Sequence, residues 1–254
     1  MDRIKSLIVV LVLTIITGTT EIKSQEITGN RGIAKCLQCE YLENPLGIDT
    51  EHPRFKWQLS DQRQGAFQSA YEIVVGSDSV TVSQGSGNMW QTSKISEKDM
   101  LVRYLGEELQ PFTKYFWAVK VWDKDSVACS ISKVASFETG LIDQKNWQGK
   151  WICDDENIKL KPAPYFRKEF SASKEIKEAR AYITAAGLFE LFINGKRVGD
   201  HILDPAYTRF DRRNLYVSHD VTALLKTDNA IGVMLGNGWY NHQSTAVWDF
   251  HKAP

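Results

Sequence analysis

The sequence has no excess of either charge. Its 254 residues include 31 basic and 31 acidic side chains, so the formal net charge at neutral pH is zero. No run of Lys or Arg is longer than two residues. Proteins that bind nucleic acid usually carry a basic excess or a basic stripe on one face. The composition therefore predicts no nucleic-acid partner.

Cysteine is scarce, with four residues at Cys36, Cys39, Cys129 and Cys153. The first two have the C-x-x-C spacing that occurs in zinc and redox sites. A structural zinc site needs four ligands, commonly from two such pairs, and the chain has one pair. A thioredoxin-like redox motif needs a βαβ context, which is absent around Cys36. We interpret the cysteines as ordinary side chains, or as a disulfide that an oxidising compartment permits.

Long apolar runs are missing except near the N-terminus. Arg3 and Lys5 precede an apolar stretch at residues 7–16, and small residues follow at 17–20. A transmembrane helix needs about 20 apolar residues, so this stretch is too short to span a bilayer. The order of charged, apolar and small segments is typical of a secretory signal peptide. We predict a signal peptide over residues 1–24, export to the periplasm or the extracellular space, and no membrane span.

Helical periodicity is almost absent, and short stretches with a period of two take its place. Between residues 36 and 140, segments such as 71–75 and 115–122 alternate apolar and polar side chains. Tyr115 opens its strand after a turn that contains Pro and Thr. In fibronectin-type sandwiches the hydroxyl of such a Tyr bonds backbone a few residues upstream. The pattern predicts an all-β chain whose first domain, residues 36–140, is a fibronectin type III-like sandwich.

A predicted linker at residues 141–151 leads to a second β block over residues 152–254. Asn194 and Gly195 stand between two apolar runs, which indicates a hairpin, because a type I′ turn needs two positive φ angles. The block contains about six strands by pattern, whereas a jelly roll has eight. We therefore expect a jelly-roll module of β-sandwich type that is truncated at its C-terminus.

Eight runs together carry a resemblance to a known family. They are residues 43–49 (ENPLGID), 53–57 (PRFKW), 68–75 (QSAYEIVV), 115–123 (YFWAVKVWD), 165–170 (YFRKEF), 190–200 (ELFINGKRVGD), 203–208 (LDPAYT) and 235–240 (LGNGWY). The chain resembles the N-terminal part of bacterial α-L-rhamnosidases of glycoside hydrolase family 78. In that family a fibronectin-type sandwich is followed by a jelly-roll module, and a catalytic (α/α)6 barrel comes later.

The resemblance implies that the full-length protein removes terminal α-L-rhamnose from glycans with inversion, using two carboxylates of the barrel. Inverting hydrolysis needs carboxyl groups about 6.5–9.5 Å apart. No long amphipathic helices follow Gly140, so these carboxylates have no counterpart here. We interpret the acidic clusters at residues 107–108 and 154–156 as solvated turn charges and predict no catalytic residue. The chain is expected to be inactive alone, with the catalytic domain present in the full-length protein.

The resemblance also implies a sugar-binding role for the second block, because some relatives bind rhamnose on this module with a calcium ion at the sugar. Amide groups bind hydroxyls and flat aromatic faces pack on sugars, so Asn194, Asn237 and Trp239 are the candidate carbohydrate-binding residues. The opposing interpretation is structural, with Asn194 serving the turn and Trp239 belonging to a core. No cofactor is required, and calcium in the jelly-roll module is the one candidate.

Three hypotheses follow for the function. The leading one is the exported, non-catalytic N-terminal portion of an α-L-rhamnosidase, with a rhamnose-containing glycan as its partner. The alternative is a stand-alone secreted carbohydrate-binding protein. The third is a truncated product without stable function, whose exposed sheet edge would promote aggregation.

Overall fold

The computed structural model describes residues 32–153 and 163–240, and the structural statements below concern these residues. The predicted signal peptide and the end of the predicted second block lie outside them. Within the described ranges the chain consists almost wholly of strands and loops, which confirms the all-β fold. None of the helices in these ranges is long and apolar enough to cross a membrane.

The first domain is a sandwich of two antiparallel sheets. One sheet contains, in spatial order, β1 (Ile33–Cys39), β2 (Arg54–Ser60) and β5 (Leu101–Arg103). The other contains, in spatial order, β4 (Trp90–Gln91), β3 (Ala70–Gly76), β6 (Lys114–Trp122) and β7 (Ala135–Glu138). The first strand thus begins at Ile33, a few residues before the boundary expected at residue 36.

An aromatic core lies between the two sheets. Trp117 is fully buried, and its ring centroid is 4.4 Å from that of Phe55 on β2. Trp57 is also buried, and its Nε1 donates to Gln68 Oε1 at 2.8 Å. The inward faces predicted for β3 and β6 both belong to this core, through Tyr71, Ile73, Val75, Tyr115, Trp117, Val119 and Val121. Because burying one large apolar side chain contributes roughly 1.5–3 kcal/mol, this layer dominates the stability of the domain.

Tyr115 forms the predicted corner at the start of β6. The Gln110 N–H, five residues upstream, donates to Tyr115 Oη at 2.9 Å. The Tyr115 ring is buried and stacks on Phe137 of β7 with a centroid distance of 5.4 Å. The hydroxyl therefore ties the preceding loop to the strand, as the sequence pattern predicts.

One short helix is not indicated by the sequence pattern. It is α1, which spans Ser79–Ser83 and whose N-cap is Asp78. The Asp78 carboxylate accepts from the Thr81 N–H at 2.7 Å. Val82 of this helix is buried against Val74, on the side of β3 that faces away from the main core. Since Val and Thr have low helix propensity, capping and packing stabilise a helix that the local sequence does not favour.

The second domain contains six described strands in two antiparallel sheets. One sheet contains, in spatial order, β11 (Lys196–Arg197), β10 (Leu188–Ile193), β13 (Asp228–Gly236) and β8 (Tyr165–Ser171). The other pairs β12 (Tyr216–Asp220) with β9 (Arg180–Thr184). Buried apolar side chains fill the space between them, including Phe189, Leu191, Ile193, Val198 and Val221.

Asn194 and Gly195 form the predicted hairpin turn between β10 and β11. Their φ angles are 52° and 77°, in the left-handed region that a type I′ turn requires. Across the turn, Ile193 pairs with Lys196. The hairpin predicted from this dipeptide is confirmed.

The segment after residue 140 takes part in an interface between the two domains. The Leu141 N–H donates to Tyr216 Oη at 3.1 Å, and Tyr216 Oη donates to Asp49 Oδ1 at 2.7 Å. A Cβ atom on Gly140 would lie 1.8 Å from Tyr216 Oη, so only glycine permits this approach. The Trp147 ring also packs near Tyr216, with a centroid distance of 6.1 Å. The predicted linker is therefore held against the second domain.

A largely buried ion pair crosses the same interface. Arg180 Nε lies 2.9 Å from Glu138 Oε1, and their side chains are only 11% and 6% exposed. Tyr182 Oη donates to the same carboxylate oxygen at 3.4 Å, and its ring packs edge-on against Phe112. Burial, aided by the Glu138 charge, raises the pKa of Tyr182 to about 12. These contacts fix how one domain is oriented on the other.

Candidate carbohydrate-binding site

Two of the three predicted sugar contacts lie together at the end of β13. The last residue of this strand, Gly236, pairs with the first residue of β10. Asn237 and Trp239 follow it directly. The long loop between β11 and β12, residues 198–215, reaches the same end of the sheet. The site is thus assembled from the end of a strand and a loop distant in sequence.

Four aromatic side chains from these two segments form a continuous group, which we name the aromatic face: Tyr207, Phe210, Trp239 and Tyr240. The Tyr207 ring centroid lies 6.3 Å from that of Trp239 and 5.7 Å from that of Phe210. Phe210 in turn lies 5.5 Å from Tyr240. Phe210 is buried, whereas Trp239 is 61% exposed and Tyr207 is 44% exposed. The face therefore has a buried base and a solvent-exposed aromatic surface.

Hydrogen bonds and a pair of histidines hold the loop beside this face. The Phe189 N–H donates to the Asp204 carbonyl at 2.7 Å, and Asp204 Oδ2 lies 3.3 Å from His201 Nδ1. The His201 ring packs near His219, whose Nε2 is buried without a hydrogen-bond partner in the described structure. Burial lowers the pKa of His219, the Asp204 charge partly opposes this, and His201 lowers it further. The neutral form of His219 is therefore favoured.

Asn194, the third candidate, lies at the opposite end of β10. The strand between it and the aromatic face has a rise of about 3.3 Å per residue, which places the two ends about 20 Å apart. The Asn194 side chain donates to the Leu224 carbonyl at 2.8 Å and to Asn229 Oδ1 at 2.9 Å. Its Oδ1 accepts from the Ala230 N–H at 2.9 Å. One monosaccharide cannot contact both Asn194 and Trp239, and the Asn194 side chain is engaged in supporting the hairpin.

The aromatic face combines exposed aromatic rings with a neighbouring amide. Exposed Trp and Tyr rings offer a rigid apolar surface with polar edges, and the amide of Asn237 lies next to them in sequence. Two carboxylates lie on the same loop, Asp204 at 3.3 Å from His201 Nδ1 and Asp211 at 2.8 Å from Arg209 Nε. Of the acidic clusters, residues 154–156 lie outside the described ranges, and residues 107–108 belong to the first domain.

A calcium ion takes six to eight oxygen ligands, usually with several carboxylates among them. In the described part of the chain, no group of three or more His, Cys, Asp or Glu side chains is placed to hold a metal ion. Calcium binding in the jelly-roll module therefore stays a prediction. The four cysteines are free, with Cys39 and Cys129 buried and Cys36 and Cys153 exposed.

Sequence reasoning did not identify the contribution of the loop aromatics. Tyr207 lies in the run 203–208 and Phe210 follows it, but neither stands out locally as a sugar contact. Their importance comes from meeting Trp239, which is far along the chain. The one indication of this site in the sequence was that two separate segments, around residues 207–210 and 239–240, are rich in aromatic residues. Only the fold brings these segments together.

Two family models match the chain, one for each domain. Residues 34–143 match the Rha78A-like N-terminal immunoglobulin domain, and residues 174–253 match the alpha-L-rhamnosidase N-terminal domain. The chain is thus built from two N-terminal domains of the α-L-rhamnosidase type.

Complete rhamnosidases contain the same arrangement. The solved α-L-rhamnosidase of Dictyoglumus thermophilum is 40% identical with a TM-score of 0.77, over 82% of this chain and 25% of that one. The native α-L-rhamnosidase of Aspergillus terreus is 31% identical with a TM-score of 0.71, over 83% of this chain and 24% of that one. An α-L-rhamnosidase of Formosa agariphila is 36% identical over 221 residues, which are 78% of this chain and 23% of the relative. The chain spans about a quarter of the length of the relatives it matches.

Proposed function

We propose that this chain is the non-catalytic N-terminal portion of an exported α-L-rhamnosidase. Its two domains bind a rhamnose-containing glycan and support a catalytic domain that lies elsewhere in the full-length protein. That catalytic domain hydrolyses terminal α-L-rhamnose with inversion. The observation that carries the proposal is the match of both domains, in order, to about the first quarter of complete rhamnosidases.

The interface between the domains supports a positioning role. The Arg180–Glu138 ion pair and the contacts of Tyr216 hold the two sandwiches in one orientation. Interfaces inside a chain usually allow relative domain motion unless they are large and hydrophobic, and here a largely buried ion pair and the packing of Tyr182 on Phe112 restrict that motion. A fixed orientation would hold a glycan that is bound on the second domain at a constant position relative to the first domain.

The size of the native protein tests this proposal. An antibody raised against residues 36–140 is used to detect the native product in extracts of its source and in the surrounding medium. A band several times heavier than 28.9 kDa is expected, because the chain corresponds to a quarter of its relatives. A band near or slightly below 28.9 kDa outside the cytoplasm would instead favour a stand-alone carbohydrate-binding protein. Comparing the band in the cell extract with the band in the surrounding medium also tests export. Hydrolysis of a rhamnoside by the isolated chain would overturn the assignment of catalysis to another domain.

Sugar binding at the aromatic face is tested by thermal unfolding. A ligand that binds only the folded state raises the melting temperature, so L-rhamnose is expected to stabilise the chain. Trp239→Ala should abolish the part of this shift that arises at the aromatic face. Trp151→Ala is the matched control, because Trp151 is similarly exposed, at 64%, and lies outside the face. Equal loss in both variants would contradict the proposed contact. Repeating the melt with calcium and with a chelator tests whether calcium contributes.

A further inference from the structure

A second concave site lies in the first domain, away from the aromatic face. It is a shallow cavity of about 450 Å³, largely open to solvent, between the segment at residues 87–91 and the loop at residues 105–108. This volume falls within the range of small-molecule sites, about 300–1,000 Å³. Side chains that line it include Asn88, Gln91, Leu105, Glu107 and Glu108. The acidic pair at residues 107–108, which the sequence presents as turn charges, is thus part of a cavity wall.

The walls of this cavity are held rigidly. The Glu107 N–H donates to the Met89 carbonyl at 2.9 Å, which joins the two segments. Tyr104 Oη donates to the Glu107 carbonyl at 2.7 Å, and its ring packs edge-on against Trp90. A Cβ on Gly106 would lie 2.4 Å from the Met89 carbonyl oxygen, so the close approach of the segments depends on glycine. A cavity already in its binding shape avoids the entropic cost of ordering loops on binding.

The lining chemistry suits a neutral ligand that is rich in hydroxyl groups. Carboxylates accept hydrogen bonds, and the amide of Gln91 both donates and accepts them. The Asn88 amide is engaged with Ser77, whose N–H donates to Asn88 Oδ1 at 2.9 Å. Among the described residues that line the cavity, Glu107 and Glu108 carry charge and no Lys, Arg or His is present. The pKa of the nearby Lys145 is raised mainly by its hydrogen bond and ion pair with Asp143 at 2.9 Å, and further by the Glu108 charge. Acidic sugars are therefore disfavoured, because like charges in proximity repel.

Leu105 adds one apolar contact at the rim. Its side chain is 69% exposed, beside the polar groups of the same loop. A deoxyhexose such as L-rhamnose carries one methyl group on an otherwise hydroxylated ring. This combination of hydroxyls and a single methyl matches a largely polar cavity in which Leu105 is the exposed aliphatic side chain, with the half-buried Met89 and Trp90 also in the lining.

We propose that this cavity is a second carbohydrate subsite, which binds a neutral deoxyhexose through Gln91 and Glu107 with Leu105 against the methyl group. The proposal rests on the proposed function in one respect, namely that the chain meets rhamnose-containing glycans. The subsite is separate from the aromatic face, so a branched or extended glycan can engage both domains of the chain.

The test is a ligand-observed NMR titration of the full chain with L-rhamnose. The double variant Gln91→Ala/Glu107→Ala is expected to weaken binding at this subsite at least about tenfold. Both side chains are exposed, and Gln91 makes only long hydrogen bonds of 3.4 Å to Gly87 and Gly85, so folding should be retained. Glu51→Ala, at an exposed position outside the cavity, is the matched control. L-mannose, which bears a hydroxyl on the carbon of that methyl, should bind about tenfold more weakly, and galacturonate should not bind.

The Trp239→Ala variant separates this proposal from the proposed function. Rhamnose binding that survives Trp239→Ala and is lost when Gln91→Ala/Glu107→Ala is added supports the second subsite. If Trp239→Ala alone removes all binding, the cavity proposal is overturned and sugar binding at the aromatic face is retained. If the cavity variant alone removes all binding, the subsite is upheld and the aromatic face is rejected. Absence of binding to the unmodified chain at millimolar sugar overturns both.

Discussion

Arg180 is a largely buried charged side chain, and Glu138 is the most buried of its ionic partners. Glu138→Gln leaves the guanidinium without its most buried partner, while Asp220 Oδ1 remains 3.1 Å from Arg180 Nη1. Removing one member of a buried ion pair typically lowers the free energy of unfolding by about 3–5 kcal/mol. With 11% and 6% of the two side chains exposed, we expect a loss of about 3 kcal/mol. Urea unfolding of the variant and of the unmodified chain measures it.

Glu178→Gln is the matched control for that experiment. Its carboxylate is 57% exposed and lies 3.8 Å from the same Arg180 guanidinium. Exposed ion pairs contribute about 0–1 kcal/mol, because water and salt screen them. A loss at Glu178 as large as the loss at Glu138 would show that burial is not what makes the first pair important.

His219 makes the stability of the second domain dependent on pH. Its folded pKa lies below the ordinary value of about 6.5, so the unfolded chain takes up a proton at a higher pH than the folded chain does. Stability is therefore full above about pH 6.5 and falls as the pH is lowered through this value. The charged and titratable neighbours, Asp204 and His201, act in opposite directions on this pKa. Thermal melts between about pH 8 and pH 5.5 should show the decrease.

His219→Gln should flatten this pH dependence by removing the titrating group. His52→Gln is the control, because His52 is exposed and lies in the first domain. An unchanged pH profile in His219→Gln would assign the loss of stability to another group.

At the scale of single elements, the corner before β6 is the clearest case of a side chain that organises a loop. Tyr115→Phe removes the acceptor for the Gln110 N–H while keeping the buried ring. An unsatisfied backbone donor costs about 1–3 kcal/mol, which is the expected loss in free energy of unfolding. Tyr165→Phe, at a hydroxyl on a 73% exposed side chain, should cost little. A neutral Tyr115→Phe would mean that water replaces the hydroxyl at Gln110.

The secondary-structure elements also show which features of the fold can be predicted from local sequence patterns. Alternation in β3 and β6 correctly predicts which side chains enter the core, and the Asn194–Gly195 pair correctly predicts a hairpin. The alternation and the turn each depend only on residues that are close together in the sequence. Helix α1 is different, because Val82 is stabilised by packing on Val74 of a separate strand, which no local pattern reports.

At the scale of the whole molecule, we expect the interface to make the two sandwiches unfold together. Gly140→Ala places a methyl group 1.8 Å from Tyr216 Oη, so the Leu141–Tyr216–Asp49 hydrogen bonds must break or shift. We expect the unmodified chain to show a single calorimetric transition, and the variant to show two transitions or a lower melting temperature.

Gly232→Ala is the control for this change. The nearest atom to a Cβ there is 3.8 Å away, an ordinary contact, and Gly232 lies within β13, away from the interface. Retention of one unshifted transition in Gly140→Ala would show that the domains are not coupled through Tyr216.

The candidate site was only partly predictable. Asn237 and Trp239 do lie together at one end of β13, beside loop aromatics that the sequence did not single out. Asn194 lies at the other end of the sheet, because β10 and β13 run antiparallel and separate the hairpin from the chain after Gly236. Asn194 and Trp239 are both residue types that suit sugar binding, but the fold places them far apart. Contact of any of the three candidates with sugar stays a prediction.

The sequence by itself determined the all-β class, the faces of the main strands, the hairpin and the tyrosine corner, since each follows from side-chain alternation or turn chemistry over a few residues. Tertiary structure alone decided the Arg180–Glu138 pair, the aromatic face and the cavity beside Glu107. Each of these joins segments far apart in the chain, and their meeting depends on strand register and domain orientation, which local periodicity does not encode.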